Sequence, residues 1–308
     1  MILHTGMRTD IPAFYAPWFV NRLRAGEVCV RNPYDEQQVT RYRLDPSVVD
    51  LIAFCTKNPA PMLPHMELLA PFGQFWYVTI TPYGRDIEPH VPAWQEVAHV
   101  FRRLSEIVGA HAIGWRYDPI IIDERHTIDW HRGQFSMMAE MLAGATEMVV
   151  ISFLMRYAKT RRNFPEGREV THAEQLELGA YIVETAQAYG MTVYPCGGGD
   201  ELAAFGADTG GCMTPRIYER ALGQRIRFPK YQRQRKECDC YLGADIGTYD
   251  SCPHLCRYCY ANTHFTRVQR NRRRHDPASP FLIGHAEMGD RVHDAVQVSW
   301  LDVQESLF

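Results

Sequence analysis

The chain has no run of eighteen apolar residues, so no segment reads as a membrane-spanning helix. Its opening stretch, MILHTGMRTDIP, is too short and too soon charged to read as a signal peptide. Together these two absences set the expectation of a cytoplasmic protein with no membrane partner. Charge of one sign is also missing: 33 Lys and Arg face 36 Asp and Glu, for a formal net charge of -3. That removes any global electrostatic case for a nucleic acid. No glycine-rich dinucleotide loop follows an apolar run, because HTGMRTD and CGGGDE lack the required spacing. The histidines stand singly, with no His-x-His or His-Glu-x-x-His pair, which argues against a metal-dependent hydrolase. His126, His131 and His172 read as surface or helix-start residues. Cysteine is nearly absent from the first 195 positions, where only Cys29 and Cys55 occur, both in apolar surroundings that read as core.

What is present is a repeated alternation. Six short apolar runs, at 1–5, 48–56, 75–81, 112–118, 148–153 and 191–196, are rich in β-branched and aromatic residues and end in polar or turn residues, as strands do. Several lack a polar alternate face, as strands covered on both sides should. Segments 12–26, 64–73, 91–109, 130–144 and 172–190 carry apolar residues at helical spacing, several closing on glycine. Six strand–helix units predict a parallel α/β sheet, best accommodated as a partial (β/α)6 TIM-like barrel over residues 1–200. A flat doubly wound sheet is the runner-up. Residues 201–308 read as a cysteine-rich C-terminal extension packed on the barrel mouth, and the tail SWLDVQESLF reads as docking on the domain.

In such folds the site lies at the carboxyl ends of the strands. Those ends supply Arg8, Thr9 and Asp10, then Thr56, Lys57 and Asn58, then Tyr83, then Arg116 and Asp118, then Ser152 and Cys196. Arg116 offers a fork of donors for a carboxylate or phosphate, and Lys57 a point charge. Asp118 or Asp10 is suited to orienting a base, sugar or amine, and Tyr83 to stacking on a ring or filling space. Two basic runs, within 216–236 and at 267–274, would suit a phosphate backbone.

Seven of the nine cysteines follow residue 195, and five fall between Cys238 and Cys259. A reducing compartment argues for metal binding over a disulfide framework. Cys252, Cys256 and Cys259 form a Cys-x3-Cys-x2-Cys loop in CPHLCRYCY. A structural zinc needs four ligands, and His254 or His264 is available as the fourth, so zinc stays open. Cys196, Cys212, Cys238 and Cys240 have the count for a second, fully coordinated [4Fe-4S] cluster or a zinc.

CPHLCRYCY resembles the cluster loop of the radical S-adenosylmethionine superfamily, in which an aromatic residue commonly precedes the last cysteine, as Tyr258 does here. The resemblance implies a [4Fe-4S] cluster on Cys252, Cys256 and Cys259, with one iron left for S-adenosylmethionine. It also implies cleavage to a 5'-deoxyadenosyl radical acting on an unknown substrate, and a reducing partner such as flavodoxin or ferredoxin. Under it, Arg116, Asp118, Lys57 and Tyr83 take catalytic roles, and Arg8, Asp10, Asn58 and Ser152 bind cofactor. The loop departs from that superfamily by lying after the sixth predicted strand rather than the first. The chain also resembles, nearly end to end, an uncharacterised bacterial family with the loop at its C-terminus. The stretches MRTDIPAFY, TKNP, TPYGRDIEP, WRYDPI, KTRRN and DIGTYDSCPHLCRYCYAN carry that resemblance. The competing readings are a zinc-stabilised nucleic-acid-binding protein and a radical enzyme acting on a nucleic-acid base.

Overall fold

A computed structural model describes residues 1–229, 240–241 and 243–302. In chain order the strands are β1 (Ile2–His4), β2 (Glu27–Asn32), β3 (Asp35–Arg43), β4 (Leu51–Thr56), β5 (Gly73–Thr79), β6 (Ile113–Ile120), β7 (Met148–Phe153), β8 (Thr192–Pro195), β9 (Ala244–Asp245) and β10 (Arg291–Asp294). The helices are α1 (Ile11–Phe14), α2 (Ala16–Ala25), α3 (Met66–Leu69), α4 (Trp94–Val108), α5 (Ile128–Leu142), α6 (Ala158–Asn163), α7 (His172–Ala188), α8 (Pro215–Leu222) and α9 (Phe265–Arg273).

Seven strands make one parallel sheet in the order β8-β7-β6-β5-β4-β1-β9. From β1 to β8 the strands lie side by side in sequence order, so every crossover steps the same way. All carboxyl ends therefore share one edge. Among the described residues β8 and β9 are the two edges and no ladder joins them, so the sheet is not a closed barrel.

Both faces of this sheet are covered, which is why its strands read as continuous apolar runs. Ile52, Phe54, Trp76, Val78, Val149 and Ile151 pack into a large cluster with Phe101, Leu104, Phe135, Leu142, Ile182 and Val183 of α4, α5 and α7. The alternate residues Leu51, Ala53, Phe75, Tyr77 and Val150 pack on the other face against Met213, Ile217 and Tyr218. Within the ladder Phe54 pairs with Trp76, and their rings stack at 3.8 Å. The described start of the C-terminal tail docks: Ser299 Oγ and the Trp300 N–H both donate to the Asp50 carboxylate, and Trp300 packs on the core, while residues 303–308 lie outside the described residues.

Several elements differ from the sequence expectation. Segment 12–26 is two helices broken at Tyr15, and the short helix expected within 64–73 is the single turn α3, entered from a 3-10 turn at Ala60–His65. The antiparallel hairpin of β2 and β3 has no apolar run to announce it, since DEQQVTRYR is largely exposed; β10 adds to it in parallel. β9 is only two residues long and is set by pairing Leu3 with Ala244 and His4 with Asp245. The basic run 267–274 becomes α9 and its cap, where arginines gather near the negative end of the helix dipole. Arg216, Arg220 and Arg227 of the other run pair with Asp208, Glu147 and Asp302.

His131 is not a surface residue. It is fully buried, its Nε2 faces the Ile121 carbonyl at 2.7 Å, and its Nδ1 faces the Tyr117 hydroxyl at 2.7 Å. A carbonyl only accepts, so Nε2 carries the proton and Nδ1 accepts from Tyr117, which satisfies a neutral ring. Burial lowers its pKa to about 4, and burial lowers that of His4 to about 4 as well. An unfolded histidine takes its proton near 6.5, so between these values the unfolded state binds more protons. The stability these rings contribute is therefore complete above pH 6.5 and is lost as pH falls towards 4. The slope is at most about 1.4 kcal/mol per pH unit for each ring. Urea midpoints at pH 7 and pH 5 should show the loss, and His131→Gln should flatten the slope.

Candidate functional site

The loops at the carboxyl ends of the strands and the loop containing Cys252, Cys256 and Cys259 meet around one cavity of about 300 Å³. Two buried carboxylates join them. The first is Asp10, which caps α1 by accepting the Ala13 N–H at 3.1 Å. Its Oδ2 accepts the Lys57 backbone N–H at 2.7 Å and faces His254 Nε2 at 3.0 Å. His254 Nδ1 faces the His90 carbonyl at 3.1 Å. Both ring nitrogens of His254 therefore face acceptors, which fixes the ring between Asp10 and the His90 carbonyl.

The second carboxylate is Glu88. Its Oε1 accepts from Lys57 Nζ at 2.8 Å, from the Thr81 hydroxyl at 2.7 Å and from the Tyr258 hydroxyl. Burial works against the Lys57 ammonium, but Glu88 and the neighbouring Cys256 outweigh it and raise its pKa. Tyr258 therefore ties the cysteine loop to the ends of β4 and β5. Further stitches are the Arg257 N–H to the Ile87 carbonyl at 3.0 Å, Tyr15 Oη to the Ser251 carbonyl at 2.6 Å, and Thr160 Oγ1 to the Tyr258 carbonyl at 3.0 Å.

A third ion pair lies on the floor. Arg116, on β6, directs Nε (3.1 Å) and Nη2 at the Asp118 Oδ2, and Ser152 donates to Asp118 Oδ1. Burial disfavours charge on Asp118, but Arg116 and the Ser152 hydroxyl outweigh it and hold its pKa below the ordinary carboxylate value. The Arg116 fork is thus already occupied by protein. Its Nη1 has no hydrogen-bond partner among the described residues. Thr9, 5% exposed, also lines the cavity with a hydroxyl that has no partner among the described residues.

Thiols line the same space: Cys55, Cys196, Cys212, Cys240, Cys252, Cys256 and Cys259. Burial pushes Cys55 up to about 11 and raises Cys252, Cys256 and Cys259. Cys196 moves the other way, to about 7, chiefly through a hydrogen bond with Cys212 and aided by Arg116.

The wall between β1 and β4 leaves no room for a side chain at Gly6. A Cβ there would lie 2.1 Å from the Cys55 carbonyl oxygen. Gly6→Ala is expected to push the 5–10 loop off β4 and cost about 1–3 kcal/mol in a denaturant titration.

Of the residues expected from sequence, Asp10, Lys57, Arg116, Asp118, Ser152, Cys196, Cys212, Cys240, Cys252, Cys256 and Cys259 line the cavity. Cys238 lies outside the described residues. Tyr83 is packed away from the cavity: its hydroxyl donates to the Pro119 carbonyl and accepts the Ile121 N–H, both at 2.8 Å. Arg8 pairs with Asp245 at 2.9 Å on the β9 edge, and the Asn58 side chain accepts the Ala60 N–H at 3.2 Å at the start of a 3-10 turn. Sequence reading missed Glu88, whose place within TPYGRDIEP was the available signal. Cys55 packs against the core cluster under the sheet, as expected, and also lines the cavity.

Residues 2–261 match the family described as Domain of unknown function (DUF1848). No curated protein and no solved structure matches the chain. These findings correct the chemistry expected from the sequence. The family is not the radical S-adenosylmethionine superfamily, so the radical-enzyme assignment falls, and with it S-adenosylmethionine and the flavodoxin or ferredoxin partner. Among the described residues no group of three or more His, Cys, Asp or Glu is placed to hold a metal ion. That overturns the [4Fe-4S] cluster on Cys252, Cys256 and Cys259, the second cluster, and the zinc-stabilised nucleic-acid-binding alternative. The physical reason is that lining one cavity is a weaker condition than converging on one point. No helix among the described residues is long and apolar enough to cross a membrane.

Proposed function

We propose that this chain, which belongs to the DUF1848 family over residues 2–261, is a small-molecule-binding protein whose site is the cavity at the strand ends. The ligand is an uncharged, largely apolar molecule carrying a carbonyl or similar acceptor. The carrying observation is that every charged group on the cavity wall is already engaged by the protein: Lys57 with Glu88, Arg116 with Asp118, and Asp10 with the Ala13 and Lys57 backbone N–H groups and the His254 ring. A net charge brought into such a balanced site loses its hydration and gains no unspent partner, which costs several kcal/mol or more. A neutral acceptor loses far less and meets the Arg116 Nη1 donor. Phe153, Leu154, Met155 and Met213 supply apolar wall, and about 300 Å³ is the scale of a small-molecule site.

Our reading of the architecture supports this location. We take residues 1–200 as an open, partial (β/α)6 barrel and 201–308 as an extension whose cysteine loop roofs its mouth. The uniform stepping of β1 to β8 and the bonds from Asp10 and Glu88 to His254 and Tyr258 support that division.

The test compares three probes of one shape. Acetophenone should raise the thermal midpoint in a dose-dependent way, whereas benzoate and benzylamine should not. Stabilisation by benzoate alone would overturn the neutral-ligand reading.

A further inference from the structure

Three of the cavity thiols form a group of their own, away from the Cys252–Cys259 loop. Cys212 Sγ and Cys240 Sγ lie 3.4 Å apart. The approach is built by the backbone, since the Tyr241 N–H donates to the Met213 carbonyl at 2.6 Å and holds the two chain segments side by side. The Tyr77 hydroxyl donates to the Cys212 carbonyl and fixes that residue from the sheet side. Cys196 follows the last residue of β8, where its N–H donates to the Ile151 carbonyl at 2.8 Å, and its thiol is near enough to that of Cys212 for each to shift the other's pKa. The sulfurs thus run in series, Cys196 to Cys212 to Cys240, with all three at the cavity wall. A disulfide needs about 2.05 Å between sulfurs, so the Cys212–Cys240 pair requires only a small side-chain movement to close.

We propose that these three cysteines are a thiol–disulfide exchange relay that reduces a small, uncharged disulfide entering the cavity. The Cys196 thiolate attacks one sulfur of R–S–S–R, forming a Cys196–S–S–R bond and releasing R–S⁻, which takes up the proton that Cys196 has given up. Cys212 Sγ then attacks Cys196 Sγ, displacing the second R–S⁻, which takes the Cys212 proton. Cys240 Sγ attacks Cys212 Sγ, its proton passes to Cys196, and the Cys212–Cys240 disulfide remains. Two protein thiols are oxidised, and one disulfide is reduced to two thiols. Attack by the most thiolate-rich sulfur first is what exchange chemistry favours. The relay rests on the sulfur geometry and does not depend on the carbonyl-ligand reading of the cavity.

The probe is bis(2-hydroxyethyl) disulfide, added to the reduced full-length protein. Samples are acid-quenched over time, alkylated and mapped by mass spectrometry. Cys196 should react at least tenfold faster than Cys252, Cys256 or Cys259. The end product should be a Cys212–Cys240 disulfide with release of 2-mercaptoethanol. Cys240→Ala should stop at a Cys196–Cys212 disulfide, and Cys212→Ala at the Cys196 mixed disulfide. Wild-type protein that labels first at another cysteine, or that keeps the mixed disulfide without forming the Cys212–Cys240 bond, overturns the proposal whatever the variants do. Protein that still binds acetophenone but fails in this way loses the relay and keeps the ligand reading.

Discussion

Glu88→Ala should destabilise the protein by about 3–5 kcal/mol, because it leaves the Lys57 ammonium buried without its counter-charge. The side chains of Glu88 and Lys57 are 1% and 12% exposed, so water cannot replace the lost partner. The same change strands the Tyr258 and Thr81 hydroxyls, which both donate to Glu88 Oε1. Urea denaturation reads the loss directly. The double variant Glu88→Ala with Lys57→Met should recover part of it, since it removes the orphaned charge along with its partner. Tyr258→Phe removes one hydrogen bond and leaves the ion pair intact, so it should cost only about 1 kcal/mol. If Glu88→Ala and Tyr258→Phe cost the same, Glu88 is not the charge-bearing link described here.

Asp10→Ala should have an effect of similar size, about 3–5 kcal/mol, by a different route. It removes the cap of α1, the acceptor for the Lys57 backbone N–H and the carboxylate facing His254 Nε2 in one step. His254 is 1% exposed and cannot turn to water. Losing its anchor should also loosen the cysteine loop from the strand ends. Hydrogen exchange should therefore quicken at residues 252–261, beyond what the fall in global stability explains. Asp10→Asn keeps one acceptor oxygen and should cost less. Equal losses for Ala and Asn would locate the effect in the charge alone.

Much of the sheet was legible because its physics is local. LIAFCT, FWYVT and MVVISF are apolar on both faces, a pattern that strands in a doubly covered parallel sheet must have. The strand ends followed, and with them Asp10, Lys57, Arg116, Asp118 and Ser152. The hairpin of β2 and β3 was hidden because its stability comes from pairing, and an exposed DEQQVTRYR carries no burial pattern. β9 has two residues and exists only through its bonds to β1.

The roles of the site residues were less legible than their positions. A sequence shows that Arg116 has a fork of donors; it does not show that Asp118, two residues on, already holds it. Tyr83 ends a strand-end motif, yet its hydroxyl is taken by Pro119 and Ile121. The Cys-x3-Cys-x2-Cys spacing pointed to a metal because close thiols usually mean ligands. The fold instead brings those cysteines to the cavity wall, and among the described residues no group of three or more His, Cys, Asp or Glu is placed to hold a metal ion. Glu88 and His254 emerged as the links between the two ends of the chain, and such contacts, across 170 and 244 residues, leave no local signature.

The central claim, that the cavity takes a neutral carbonyl compound through Arg116 Nη1, is tested most directly by calorimetric titration of acetophenone and ethylbenzene. The proteins compared are wild type and Arg116→Lys, the latter keeping a charge for Asp118 but lacking the Nη1 donor. The account predicts acetophenone binding about tenfold weaker in Arg116→Lys, the worth of one hydrogen bond to a charged donor, with ethylbenzene unchanged. Equal acetophenone affinity in the two proteins would contradict it.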